Sequence, residues 1–338
     1  MNRWHYVKRL LPLIAAMTIL LAGCGQADTS TLIPQGPVAQ KQYDLMKLSI
    51  SIMIGVVVIV FALAIYVLIR YRRRPGQTNI PVQVEGNHKL EILWTVIPIL
   101  LLVVLAIPTV RTTFDLAKDY SKEPDAVKVK VTAHQFWWEF DYPELGIKTA
   151  QDLIIPVGKK VQIELVSADV LHSFWVPSLG GKMDTNVGEG NINKMFLIAD
   201  KEGVYKGKCA ELCGASHAYM DFKVQSVQEQ DFKAWVSSMK AGAALPADQE
   251  LKDVFTQKCL SCHAVGDQGV QFAPNLTGIG SRETIAGILA NNPENIAKWI
   301  HDPQKVKPGN LMPKVDLTEE QITGISEYLS GLKSSIRQ

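Results

Sequence analysis

Excess charge of one sign is what this 338-residue sequence has least of. It carries 35 Lys and Arg against 33 Asp and Glu, a formal net charge of +2. No strongly basic surface argues for nucleic acid, and no acidic tail argues for a disordered segment. Cysteine is also scarce, with five in the chain. Long apolar runs are confined to the first third, and the remainder reads as soluble. The five cysteines fall into three groups: Cys24 alone, Cys209 and Cys213 in a C-x3-C pair, and Cys259 and Cys262 in C-x2-C.

The N-terminus decides the compartment in which those cysteines are read. Arg3, Lys8 and Arg9 precede an apolar run over residues 10–21, too short to span about 30 Å of hydrocarbon but suited to an export signal. Leu21-Ala22-Gly23-Cys24 then resembles the bacterial lipobox, in which cleavage leaves a lipid-bearing Cys24 at the new N-terminus. The plainer reading is a signal peptide over 1–23 with an incidental cysteine. Residues 48–69 and 92–110 are each long and apolar enough to cross a bilayer as helices, the second despite Pro98 and Pro108. Arg70, Arg72, Arg73 and Arg74 lie between them, and the positive-inside rule puts that loop in the cytoplasm. Both termini and everything beyond about residue 111 are then expected on the outer face of a bacterial cell membrane. That compartment permits disulfides, copper thiolates and covalent haem.

Alternation over 127–131 and 160–166 predicts strands, and short strands with turn signals predict a β-sandwich across about 125–230. Its possible metal ligands are few. They are His172 and the string Cys209-Ala-Glu211-Leu-Cys213-Gly-Ala-Ser-His217-Ala-Tyr-Met220. Soft thiolates with imidazole suit copper or zinc. One Cys, two His and a Met would build a mononuclear copper site; a second thiolate four residues on can bridge two ions. A Cys209–Cys213 disulfide and a Cys2His2 zinc site remain as alternatives, although neither gives Glu211 or Met220 a task.

At these residues the chain resembles subunit II of the haem–copper cytochrome c oxidases, over roughly residues 40–235. The resemblance implies a cupredoxin sandwich holding a dinuclear copper (CuA) centre. Cys209 and Cys213 would bridge the two coppers, His172 and His217 would bind one each, and Met220 with the Glu211 carbonyl would complete the shells. The Glu211 side chain would face a magnesium ion at the boundary with the large catalytic subunit (subunit I). His134-Gln135-Phe136-Trp137-Trp138 matches the aromatic segment where the family admits electrons, but Phe136 stands where tryptophan is usual. Core packing is the competing reading of Trp137 and Trp138. Glu91 matches the carboxylate at the mouth of a proton path, and its competing reading is a solvated glutamate at a helix end. No oxygen-reducing site is visible here, because the spans lack the many histidines that haem and copper would need.

After a linker rich in small residues, Cys259-Leu260-Ser261-Cys262-His263 reads as a c-type haem attachment motif. Both thiols would form thioethers while His263 binds iron. A bare C-x-x-C could be thioredoxin-like or a zinc knuckle; the adjoining His and the compartment demote both. The sixth ligand should be Met or His. Met312, in a Pro-Gly-Asn-Leu-Met-Pro loop resembling that of small class I cytochromes c, is preferred to His301. Asn292-Pro293 should open one helix, and Thr318 with Gln321 a terminal one carrying Ile322, Ile325, Leu329 and Leu332 on one face. That terminal helix should pack on the helix before the haem motif. The two motifs absorb every cysteine after Cys24.

The architecture expected is therefore multidomain. It comprises a signal peptide (1–23), an external segment (24–43), a two-helix transmembrane hairpin (44–111), a cupredoxin-like CuA domain (112–235), a linker (236–249) and an all-α class I cytochrome c domain (250–338). The resemblance implies the electron-input subunit of a proton-pumping cytochrome c oxidase, working with subunit I, other oxidase subunits and a cytochrome c donor. The same two motifs would serve a CuA-type nitric oxide reductase. A quinol oxidase subunit would share the fold without copper. A lipid-anchored copper carrier would have no use for the haem motif.

Overall fold

The computed structural model describes residues 11, 12, 14–16, 18, 29–78, 80, 82, 83, 85–188 and 190–336. Cys24 and the cleavage expected before it lie outside them. The hairpin is α1 (Pro37–Arg70) and α2 (His88–Leu116). Helix α1 starts well before the span read from hydropathy because its first turn does not face lipid. Pro37 supplies a preset φ at the first helical position. Val38 and Ala39 are buried against the soluble part of the chain, and the Ala39 N–H donates to the Leu179 carbonyl at 3.2 Å. Helix α2 is capped by the Asn87 side chain, which accepts from the N–H groups of Lys89 and Leu90. It continues through Pro98 and Pro108 to Leu116. A 2.8 Å ion pair between Lys41 and Asp115 ties the two helices at the end opposite the arginines.

Among the described residues the sandwich has ten strands: β1 (Val127–His134), β2 (Trp137–Tyr142), β3 (Ile147–Ala150), β4 (Asp152–Pro156), β5 (Val161–Ser167), β6 (His172–Trp175), β7 (Met183–Thr185), β8 (Asn193–Leu197), β9 (Gly203–Cys209) and β10 (Phe222–Val227). One sheet runs β3-β2-β1-β5-β8 and the other β4-β10-β9-β6-β7. The β1·β5 and β4·β10 pairs are parallel and the others antiparallel. The alternation seen in β1 places Val129, Val131 and Ala133 inside. Trp138, Phe140, Phe174 and Phe222 fill the space between the sheets, Phe174 stacking on Phe222 at 4.6 Å. Tyr142 joins the sheets directly. Its buried hydroxyl donates to the Ile154 carbonyl at 2.7 Å and accepts from the Ile154 N–H at 2.9 Å.

Helix α3 (Glu229–Ala241) packs Phe232 and Trp235 onto this core. Its last turns occupy residues 236–241, so the chain leaves helical structure only at Gly242. The C-terminal domain contains α4 (Gln249–Lys258), α5 (Pro293–His301), α6 (Pro303–Val306) and α7 (Glu319–Gly331). Two small hairpins of two-residue strands interrupt them: β11 (Ala264–Val265) with β12 (Gln268–Gly269), and β13 (Thr284–Ile285) with β14 (Leu289–Ala290). Asn292 caps α5, and α7 opens on the capping box of Thr318 and Gln321. Helix α7 packs on α4 as its apolar stripe implies, with Phe255 and Tyr328 edge to face at 5.1 Å.

Replacing Tyr142 by Phe leaves the Ile154 N–H and carbonyl buried without their partner. The expected cost is about 1–3 kcal/mol of unfolding free energy, read as a lowered denaturant midpoint of tryptophan fluorescence in the full chain. An unchanged midpoint would show that the tie between the sheets is dispensable.

Candidate metal and cofactor centres

Strand pairing assembles the first site. The β6–β9 register sets Phe174 opposite Cys209, which brings His172 beside Cys209 from 37 residues away. The loop after β9 then folds back so that every candidate donor meets the next. Cys209 Sγ lies 3.9 Å from His172 Nδ1, 3.2 Å from the Glu211 carbonyl oxygen and 3.9 Å from Cys213 Sγ. Cys213 Sγ lies 3.6 Å from His217 Nδ1 and 3.8 Å from Met220 Sδ. The donor atoms of His172, Cys209 and Cys213 all lie within 4.8 Å of one another; His217 joins through Cys213.

Burial keeps Cys213 and His172 in their neutral forms. His172, Cys209, Cys213 and Met220 are buried. Burial, reinforced by the neighbouring Cys209, pushes the Cys213 thiol up to about 12. Burial likewise lowers the His172 imidazole. Such a thiol would become a ligand only by exchanging its proton for a metal ion. His172 Nε2 donates to Asp169 Oδ1 at 2.8 Å. A carboxylate can only accept here, so Nδ1 is left with its lone pair toward the sulfurs. Burial works against the charge on Asp169, but the hydrogen bonds from His172 and from the N–H groups of Gln135 and Val170 hold its carboxyl below the usual range. Gln135 Nε2 also donates to the Cys213 carbonyl at 2.6 Å, and Trp138 Nε1 to the Met220 carbonyl at 3.2 Å.

The second site is a cavity of about 540 Å³ whose walls include Cys259, Cys262, His263 and Met312, a volume suited to a cofactor. His263 Nδ1 donates to the Pro274 carbonyl at 2.7 Å, which fixes the tautomer and leaves Nε2 for a ligand bond. Burial lowers the His263 imidazole and pushes the Cys259 thiol up to about 12. His301 lies outside the cavity and pairs with Glu319 at 3.6 Å on the surface. The donors present fit a haem held by two thioethers, an imidazole and a methionine. Two features of the wall agree: the His134 Nε2 atom is buried without a hydrogen-bond partner, and the Lys307 side chain is buried with one carbonyl acceptor.

The two sites share a seam. Ser216 Oγ, in the cysteine loop, donates to the carbonyl of Pro308, in the methionine loop, at 2.6 Å. Gly309 holds a φ of +78° here, and a Cβ on it would sit 3.5 Å from both Ala215 and the Phe136 ring. Phe136 is buried in this seam, Trp138 is fully buried in the core, and Trp137 stacks on His134 at 4.2 Å beside the cavity. Lys223 and Glu283 form a further ion pair across the two domains. Glu91, by contrast, lies in the first turn of α2, half-exposed and 3.4 Å from His88 Nδ1, and is not among the residues of either site.

Sequence reasoning missed Asp169, Pro274 and Lys307, and it gave no role to Gln135 or Ser216, which stand in the strings it singled out. Asp169 had a usable signal, an acid three residues before a candidate ligand. The others depend on contacts over 11 to 92 residues of separation that no local pattern encodes.

Comparison with known proteins gives three family matches. "Cytochrome C oxidase subunit II, transmembrane domain" matches residues 33–112, "Cytochrome C oxidase subunit II, periplasmic domain" matches 145–227, and "Cytochrome c" matches 249–333. The chain is 51% identical to cytochrome c oxidase subunit 2 of Bacillus sp. (strain PS3), over 98% of this chain and 99% of that one. It is 49% identical to cytochrome c oxidase subunit 2 of Alkalihalophilus pseudofirmus, over 98% and 99%. It is also 38% identical to quinol oxidase subunit 2 of Bacillus subtilis, over 67% of this chain and 71% of that one.

Asp169→Ala frees the His172 ring to rotate. Copper affinity, measured by competition with a chelator, is expected to fall about 10–100-fold while circular dichroism stays unchanged. Wild-type affinity in this variant would show that the carboxylate does not orient the ligand.

Proposed function

The chain belongs to the cytochrome c oxidase subunit II family, and from that premise we propose that it is the electron-input subunit of a proton-pumping oxidase. In this reading electrons come from a cytochrome c donor. They would pass by way of a haem c and a CuA centre, for which this chain supplies the ligand residues, to subunit I, which reduces oxygen to water. Cys209, Cys213, His172, His217, Met220 and the Glu211 carbonyl would hold two coppers. Cys259, Cys262, His263 and Met312 would hold the haem. When bound, these groups supply one-electron carriers whose ligands need little rearrangement. The protein's part is to exclude water, to fix His172 and His263 by an oxygen acceptor on the far nitrogen, and to keep the two loops in contact.

One observation carries the reading: the 2.6 Å hydrogen bond from Ser216 to Pro308 joins the cysteine loop to the methionine loop. A tethered donor is thereby presented at high effective concentration, and with Phe136 in the seam the attached domain occupies the surface where an external cytochrome would otherwise dock. The Glu211 side chain would meet a magnesium ion against subunit I, and Glu91 would gather protons at the membrane edge. The arginine cluster supports an orientation with the soluble domains outside. A lipid on Cys24 would add a second anchor.

The test is metal content with optical and paramagnetic-resonance spectra of the haem-matured, copper-loaded chain. Two coppers per iron are expected, with the unpaired electron spread over both coppers and a c-type band on reduction. Cys213→Ser should abolish the shared-electron signal and leave the haem band intact. One copper, or zinc, in the wild type would overturn the dinuclear assignment. The large subunit that copurifies should reduce oxygen; one that reduces nitric oxide instead would replace the oxidase reading. Phe136→Trp should change electron transfer from the attached haem and spare copper loading. An unchanged rate would remove Phe136 from the route.

A further inference from the structure

Lys307 is the most deeply buried lysine of the C-terminal domain, with 3% of its surface exposed. An ammonium group taken out of water requires compensation, by hydrogen bonds and normally by an opposite charge. Its Nζ donates to the Ala286 carbonyl at 2.7 Å. That leaves two of its three N–H groups to be accounted for, and no carboxylate of the described residues lies within ion-pair distance of it. Burial pushes its pKa down to about 7, with the charge of Asp221 acting against that fall.

The location limits what the partner can be. Lys307 lines the same cavity as Cys259, Cys262, His263 and Met312, on the wall nearest the seam. The other buried cation of that wall is Arg282, which donates from Nη2 to the Asn275 carbonyl at 2.6 Å. Lys307 is held in place from both sides. Its N–H donates to the Pro303 carbonyl at 2.9 Å, and its own carbonyl accepts from the Asn310 N–H and side chain. Gly287, beside Ala286, has a φ of +82°, and a Cβ there would lie 2.8 Å from Gln151 Nε2 and 3.1 Å from the Asp221 carbonyl. The turn that supplies the lysine's acceptor is therefore pressed against the β domain, just past Met220.

We propose that Lys307 binds a carboxylate side chain of the haem, fixing that edge of the cofactor at the seam with the β domain. This deepens the haem reading above and rests on it. A cation beside the porphyrin disfavours the ferric, more positive state, so Lys307 raises the reduction potential of the attached haem.

The test is a spectroscopic redox titration of the full chain, matured with haem and copper. For Lys307→Met, the reduced-to-oxidised ratio of the haem at the wild-type midpoint potential should fall about tenfold, a shift of about 59 mV for a one-electron couple. Lys307→Arg should restore most of it. A midpoint in Lys307→Met equal to wild type, with haem and copper content intact, overturns the proposal. A second measurement needs no variant. In resonance Raman spectra of the wild-type protein, a haem carboxylate bending band should shift on exchange into D2O, because its partner carries exchangeable protons. No shift in either carboxylate band is equally fatal. A wild-type chain that takes up no c-type haem would instead defeat the haem reading itself.

Discussion

The contact between the cysteine loop and the methionine loop is the constraint on which the arrangement of the soluble part depends. The Ser216–Pro308 hydrogen bond is one interaction of ordinary strength. Both loops can approach that closely because the residues around it are small: Ala215 on one side, Gly309 on the other, with the Phe136 ring filling the remaining space. The β13–β14 turn adds a second point of contact, and the Lys223–Glu283 pair a third. Three short contacts at separate places fix a rigid-body orientation, which one contact cannot do. The cavity has residues of both domains in its wall for the same reason.

A common device recurs at both candidate centres. His172 gives one ring proton to Asp169 and His263 gives one to Pro274. In each ring the remaining nitrogen is left as a lone pair facing the site. The acceptors differ in charge, and so does the effect: a carboxylate makes its imidazole a stronger donor than a carbonyl does. The site with two neighbouring thiols thus receives additional negative charge from behind, while the site expected to hold iron does not.

Much of this was legible in the sequence, for identifiable reasons. The hairpin, the sandwich strands at 127–131 and 160–166, the Asn292-Pro293 helix start and the Thr318–Gln321 capping box are local patterns, and local patterns survive folding. The candidate donors were legible because thiol and imidazole groups are rare in the chain. What escaped was set by contacts distant in sequence. Helix α1 extends to Pro37 because Val38 and Ala39 find a protein surface. Helix α3 runs on to Ala241 because Met239 is buried. The roles of Ser216 and Lys307 exist only once two domains meet, and hydroxyl and ammonium groups are too common for composition to single them out.

The early start of α1 sets a height. At about 1.5 Å per residue its 34 residues make a rod about 51 Å long, against about 30 Å of hydrocarbon. The excess stands beyond the lipid as a continuous mast, and its tip is built into the sandwich through the Ala39–Leu179 and Gln35–Ser178 hydrogen bonds. Because that tip is hydrogen-bonded to the sandwich, tilting the sandwich would mean tilting the helix inside the bilayer. Thermal rocking of the cysteine loop above the membrane plane is therefore restrained by the lipid itself, and the bilayer thickness becomes part of the geometry of electron delivery.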